Sequence, residues 1–198
     1  LEERGELSNT LVIVTSDNGT QLLRSKANAY DWGVREPLAI MWPAHIKPGR
    51  RVDDFVNFAD FAPTILHAAG LPVPPSMSGR SFLDILLSPA SGRLDPTRGW
   101  TVAGLEWHGE LEPVNLAVRM IRDERYQYLI NYGTGPRLAP SARPPLPDRD
   151  FERTAATAGE TELVLKHPDH PTVKPFLTLL RDARPREELY DCEADPWE

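Results

Sequence analysis

Asp17 and Asn18 stand side by side in Thr15-Ser16-Asp17-Asn18-Gly19, and a cation, Lys26, follows nine residues after Asp17. A carboxylate and an amide oxygen are hard donors suited to Ca²⁺ or Mg²⁺, and Ca²⁺ takes about six to eight such ligands. Two donors do not complete that shell, so the rest must come from elsewhere. The same triplet also serves ordinary turns, because Asp and Asn bond their own backbone and Gly accepts positive φ. A lysine near a bound cation would balance an anionic substrate and the charge developing on it; the alternative is a solvated surface lysine. Arg24 is a second candidate for that role. Arg35, in Gly33-Val34-Arg35-Glu36-Pro37, fits a structural pairing with Asp31 or Glu36. His108, in Glu106-Trp107-His108-Gly109-Glu110, follows a strand-like run. There it could serve as a substrate contact or proton donor, or be an ordinary loop residue. His45, His67, His167 and His170 have no comparable surroundings.

Other chemistries are absent from the chain's motifs. Ser16 has no G-x-S-x-G elbow around it, which argues against a serine nucleophile. There is no P-loop, dinucleotide fingerprint or zinc spacing. Cys192 is the single cysteine, so neither an internal disulfide nor a cysteine-based metal site forms. The net charge of −7 argues against non-specific nucleic-acid binding, which needs basic patches. No apolar run approaches the roughly 18 residues of a membrane span.

The elements that must position these residues follow from the apolar pattern. Residues 10–14 (TLVIV) form a continuous β-branched run, expected of a strand covered on both faces in a parallel sheet. Ligands in such sheets bind beyond the carboxyl ends of the strands, which is where Asp17 and Asn18 fall. Residues 37–42 (PLAIMW) are the next strand. Residues 60–69 predict a helix with Asp60 as N-cap, Pro63 in its first turn, Gly70 as C-terminal cap and Pro72 beyond. A short helix is expected at 81–87. Residues 100–107, 116–122 and 126–132 read as three strands, the last two joined as a hairpin at Asp123-Glu124. Strands without intervening helices predict a small antiparallel sheet. A further helix is expected at 172–182, after a Pro- and Arg-rich connection at 135–150. Proline occurs 20 times, double its usual share of about 5%, which predicts many irregular connections. The opening residues, LEERGELSNT, read as a helix tail running straight into a strand, and suggest a missing N-terminal portion.

Taken together, the stretches resemble the sulfatase family of the alkaline-phosphatase superfamily. TLVIVTSDNG resembles the strand and metal-binding turn that precede the family's basic residue. KANAYDWGVREPLAIMWPAHIKPG is similar to the loop and strand that follow. FADFAPTILHAAGLPVP resembles the family's D-x-x-P-T helix, MSGRSFLDIL its G-R-S-L segment, and EELYDCEADPWE its closing E-L-Y-D…D-P element. Glu106-Trp107-His108 with AVRMIRDERYQYLINY is similar to the branch of N-sulfoglucosamine sulfohydrolase-like enzymes.

The resemblance implies an α/β fold. Residues 1–90 would be the C-terminal portion of a mostly parallel catalytic sheet with flanking helices, and residues 91–198 an antiparallel-sheet subdomain with a helix. It implies hydrolysis of a sulfate ester or sulfamate, on a sulfated carbohydrate or aryl sulfate. The family uses a formylglycine, made from Cys or Ser in a C/S-x-P-x-R motif, and a divalent cation, usually calcium, with magnesium as the alternative. By motif match, Asp17 and Asn18 would ligate the metal, Lys26 would contact and stabilise the sulfate as the catalytic cation, and His108 would lie near the substrate. A periplasmic, extracellular or lysosomal location is implied in the same way. Cys192 is followed by Glu193-Ala194-Asp195, no serine fits the motif, and the family's N-terminal aspartate pair is absent. The chain therefore resembles only the C-terminal part of a sulfatase. It is expected to be inactive alone, to need the missing half as its partner, and to self-associate through uncovered sheet surface. Two further readings remain: a phosphodiesterase or phosphotransferase of the same superfamily, and a non-catalytic module that binds sulfated glycans.

Overall fold

The computed structural model describes residues 1–20, 24–106, 117–133, 169, 171, 174–175 and 184–196. It is a mixed α/β structure with few helices, and the chain divides into two compact units. The first comprises residues 1–15, 37–102 and 122–124; the second comprises 16–36, 103–121 and 125–198.

In the first unit, two short 3-10 turns, Glu2–Arg4 and Leu7–Asn9, precede strand β1, Val12–Thr15. Strand β2, Leu38–Met41, pairs with it antiparallel in the register Val12↔Met41 to Thr15↔Leu38. A continuous apolar run marks a strand with two faces to cover but carries no information on direction. The parallel neighbour expected for β1 is therefore replaced, among the described residues, by an antiparallel one. Val14 is 62% exposed, and Leu38 and Met41 are exposed as well. The core lies elsewhere, around Ile46, Phe82, Ile85 and Leu86, with Leu11, Ile40, Trp42, Val52, Val56, Phe61 and Leu94 packed against it.

Between β1 and β2 in sequence lies a one-turn helix α1, Asp31–Val34; helix α2, Phe61–Ala68, follows a 3-10 turn, Phe58–Asp60. Its start differs from expectation. Asn57 is the cap: its side chain accepts from the Ala59 N–H, while the Asp60 carboxylate accepts from the Asn57 N–H, forming a reciprocal capping box. The helix stops as predicted. Gly70 takes φ +69°, the Leu71 N–H donates to Leu66 O and the Gly70 N–H to His67 O, which together satisfy carbonyls that the helix leaves open. Helix α3, Leu83–Leu87, ends against Arg50. That guanidinium donates to Leu86 O at 2.6 Å and to Ala90 O at 2.8 Å, a cation placed where the helix dipole and open carbonyls favour one.

A four-stranded antiparallel sheet runs in the order β3-β4-β5-β6. Its strands are β3 Trp100–Leu105, β4 Val118–Asp123, β5 Tyr126–Asn131 and β6 Glu187–Asp191. The hairpin turn falls at Glu124-Arg125, one residue later than expected. Strand β6, which the sequence pattern did not indicate, pairs with β5 from Tyr126↔Asp191 to Ile130↔Glu187. Alternation places Val118, Met120, Gln127, Leu129 and Asn131 on buried positions. Loop residues Ala29 and Tyr30 share that core with Val118, Met120 and Leu129, against Val34, Ala103, Leu105 and Tyr190. In the region expected to form the late helix, Lys174 and Pro175 are helical; the remainder of 172–182 and all of 135–150 lie outside the described residues, as does His108.

Candidate functional site

Directly after β1 the chain makes a tight polar turn. The Ser16 hydroxyl donates to Asn18 O at 3.0 Å, and the Asn18 amide nitrogen donates to Gly19 O at 3.0 Å. The second bond fixes the amide so that its oxygen remains the available acceptor. The Asp17 side chain is exposed. Gly19 is required by space: a Cβ there would lie 2.1 Å from Trp32 O and 2.6 Å from the Ser25 hydroxyl. The loop closes on itself at this point, with the Lys26 N–H donating to Thr20 O at 3.0 Å and the Ser25 hydroxyl to Trp32 O at 2.6 Å.

Lys26 sits on unusual backbone. Arg24 and Ala27, near it on either side, have φ of 58° and 60°, a left-handed conformation that non-glycine residues keep only when their surroundings impose it. The surroundings do so here. Ser25, Asn28, Ala29 and Tyr30 are all buried, and the Asn28 amide nitrogen donates to the carbonyl of Lys26 itself at 3.1 Å. Lys26 is half-buried. Among the described residues, neither its ammonium nor the Asp17 carboxylate has a hydrogen-bond or ion-pair partner. One uncommitted cation and a carboxylate–amide pair are thus presented from a single loop.

The donor chemistry of Asp17 and Asn18 fits a hard divalent cation, but two ligands fall short of its shell. Among the described residues no three His, Cys, Asp or Glu side chains come together to hold a metal. These two residues would hold a metal only as part of a larger ligand set. Arg24 does not join them. Its guanidinium lies 3.8 Å from the centroid of the Tyr30 ring and donates to the Tyr190 hydroxyl at 3.0 Å, which makes it part of the loop's support. Arg35 pairs with Asp31 at 3.3 Å, the structural role expected of it.

The support itself was not read from sequence. Tyr30 donates from its hydroxyl to Glu188 at 2.9 Å, Tyr190 donates to the same carboxylate oxygen at 2.5 Å, and the Asn131 amide donates to the other oxygen at 2.6 Å. Arg184 stacks 4.5 Å from the Tyr30 ring centroid and donates to the Asn28 side-chain oxygen at 2.9 Å. Gln127, fully buried, donates to Ala29 O at 3.3 Å. Burial pushes the Tyr30 and Tyr190 phenols up and the Arg184 guanidinium down. Burial also works against ionised Glu188, but the hydrogen bonds from Tyr190, Asn131 and Tyr30, with Arg184 nearby, outweigh it and hold the carboxyl below its usual range. One signal could have revealed this network. Gln127 and Asn131 occupy the same alternating face as Leu129, and polar residues on an inward face imply buried partners.

A polar turn after a strand, a clamped lysine loop and a four-stranded antiparallel sheet belong to a mixed α/β structure with few helices. The chain belongs to the family described as N-sulphoglucosamine sulphohydrolase, C-terminal, whose model matches residues 22–134. It is 28% identical over 198 residues to an ulvan-active sulfatase of Formosa agariphila, covering 100% of this chain and 30% of that protein. It is 30% identical over 148 residues to arylsulfatase K of Xenopus laevis, covering 71% of this chain and 26% of that protein. A protein solved in complex with its substrate D-glucosamine-2-N,6-O-disulfate shares the fold with a TM-score of 0.62 and 21% identity, over 99% of this chain and 30% of that one. The chain therefore spans about 30% of the length of the first of these relatives. Among the described residues no helix is long and apolar enough to cross a membrane.

Proposed function

We propose that this chain is the C-terminal part of a metal-dependent hydrolase of sulfate esters or sulfamates, acting on a sulfated carbohydrate or aryl sulfate. The observation that carries the reading is Lys26, a cation with no internal partner among the described residues, on a loop built to hold it in one place, within the stretch that matches the sulfatase family model. Asp17 and Asn18 contribute two oxygen ligands to a divalent cation, calcium or magnesium, with the remaining ligands supplied by the rest of the protein. That cation would supply positive charge to the bound sulfate. A formylglycine in the rest of the protein, as the family resemblance implies, would supply the nucleophile. Lys26 donates from its ammonium to a sulfate oxygen and neutralises charge that builds as the S–O or S–N bond breaks. Because the loop is already folded, this stabilisation costs little reorganisation. His108, which lies outside the described residues, is assigned a place near the substrate by motif match alone.

The test is steady-state hydrolysis of an aryl sulfate and of N-sulfated glucosamine by the whole protein, beside the Lys26→Ala variant. The variant is expected to lose about 100-fold or more in kcat/KM. Preference for a phosphate or phosphonate monoester, or an undiminished rate in Lys26→Ala, would overturn the assignment.

A further inference from the structure

Building on that reading, we propose that Arg184 and Glu188, at and just before strand β6, are positioning residues for Lys26. Two grips connect them to the lysine. The first is a chain of hydrogen bonds that ends on the lysine's own backbone: Arg184 donates to the Asn28 side-chain oxygen at 2.9 Å, and the Asn28 amide nitrogen donates to Lys26 O at 3.1 Å. The second is Glu188, which accepts from the Tyr30 hydroxyl at 2.9 Å and so fixes a fully buried ring between the guanidiniums of Arg24 and Arg184, 3.8 and 4.5 Å from its centroid.

A purely structural role accounts poorly for these groups. An apolar sheet face would bury the loop equally well and without the desolvation cost borne here, where Arg24 Nε, Arg184 Nε and Nη1 and Asn131 Oδ1 are buried without a hydrogen-bond partner among the described residues. What the polar network adds is a single geometry. It imposes left-handed φ on Arg24 and Ala27, the residues nearest Lys26 that would otherwise relax. Relaxation there would swing the lysine, and displacement of a catalytic group by about 1 Å can cost on the order of 100-fold in rate.

The test uses the whole protein with an aryl sulfate as substrate. Asn28→Ala cuts the bond to Lys26 O, Tyr30→Phe releases the ring from Glu188 while keeping its stacking, and Glu188→Gln removes the charge. Each is expected to lower kcat by about 10- to 100-fold, with KM changed less than about threefold and the thermal transition still cooperative. Arg125→Ala, which removes the ion pair to Asp191 on the same strand, is expected to leave kcat unchanged. Should Glu188→Gln fail to fold, Asn28→Ala and Tyr30→Phe decide the matter. Normal kcat in folded Asn28→Ala and Tyr30→Phe, while Lys26→Ala is inactive, would overturn the positioning role and leave the sulfatase reading intact. Full activity in Lys26→Ala would instead overturn the reading on which this role depends.

Discussion

Arg98 offers the sharpest test of how the first unit is held together. Its side chain is 3% exposed and its guanidinium donates to the Asp60 carboxylate at 2.7 Å, Arg80 O at 2.8 Å and Ser81 O at 3.1 Å. Asp60 in turn accepts from the backbone N–H groups of Arg80 at 2.7 Å and Asn57 at 3.1 Å. Replacing Arg98 by Met keeps most of the volume and removes every donor. The carboxylate is then buried with two amide partners and no counter-charge, and three carbonyls, those of Phe55, Arg80 and Ser81, lose their donor. Breaking a buried ion pair from one side costs about 3 to 5 kcal/mol. For a chain of this size each kcal/mol lowers Tm by about 2 to 4 °C, so a fall of about 6 to 20 °C is expected. Asp60→Leu should cost as much, because it strands the Asn57 and Arg80 N–H groups as well as Arg98. The double variant is expected to recover only part of the loss: the charges disappear together, but those two N–H groups remain without an acceptor. Calorimetric melts of the four proteins measure the cycle. Single variants within about 1 kcal/mol of the parent, or a double variant as stable as the parent, would refute the hub.

Two further perturbations bear on the lysine loop. Gly19→Ala would place a Cβ 2.1 Å from Trp32 O, a backbone atom that cannot turn aside, so hydrolysis of an aryl sulfate should fall at least about tenfold. Gly99→Ala, whose Cβ would meet nothing nearer than 3.4 Å, should leave the rate unchanged. The second perturbation is acid. Glu188 is held below its usual range in the folded protein, so its stabilising contribution is complete above the unfolded value of about 4.3 and is lost as pH falls through the lower folded value. The Tm difference between the parent and Glu188→Gln should therefore be largest near neutrality and shrink below about pH 4; a difference independent of pH would refute the ionised network.

What could be read from sequence was local. The strand at 10–14, the helix stop at Gly70 and the hairpin near Asp123 each depend on residues within a few positions of one another, where turn chemistry and side-chain period act directly. Asp17, Asn18 and Lys26 were singled out on equally local grounds, residue type and spacing. Arg98 and Arg184 were not, because an arginine carries no sign in its own neighbourhood that it will be buried, and what decides its role is a partner far along the chain. The direction of β2 relative to β1 escaped for a related reason: apolar content reports how many faces are covered, not which way the neighbour runs.

The stretches that resembled a family in sequence as separate modest motifs are, in space, parts of two polar hubs. The D-x-x-P-T helix and the G-R-S segment meet because Thr64 accepts from the Phe82 N–H at 3.0 Å, Asp60 from the Arg80 N–H at 2.7 Å, and Gly79 passes so close to Ala59 O that a Cβ would lie 1.9 Å from it. The lysine loop and the closing E-L-Y-D element meet through Tyr30 and Glu188, 158 residues apart in sequence. A motif whose partner lies in another motif cannot vary alone without leaving a buried donor or acceptor unpaired, at a cost of about 1 to 3 kcal/mol each time. That coupling gives a physical reason for E-L-Y-D and the lysine loop to occur in one chain. On the reading proposed for Lys26, the strand that carries Glu188 holds the lysine loop through the Tyr30 hydroxyl.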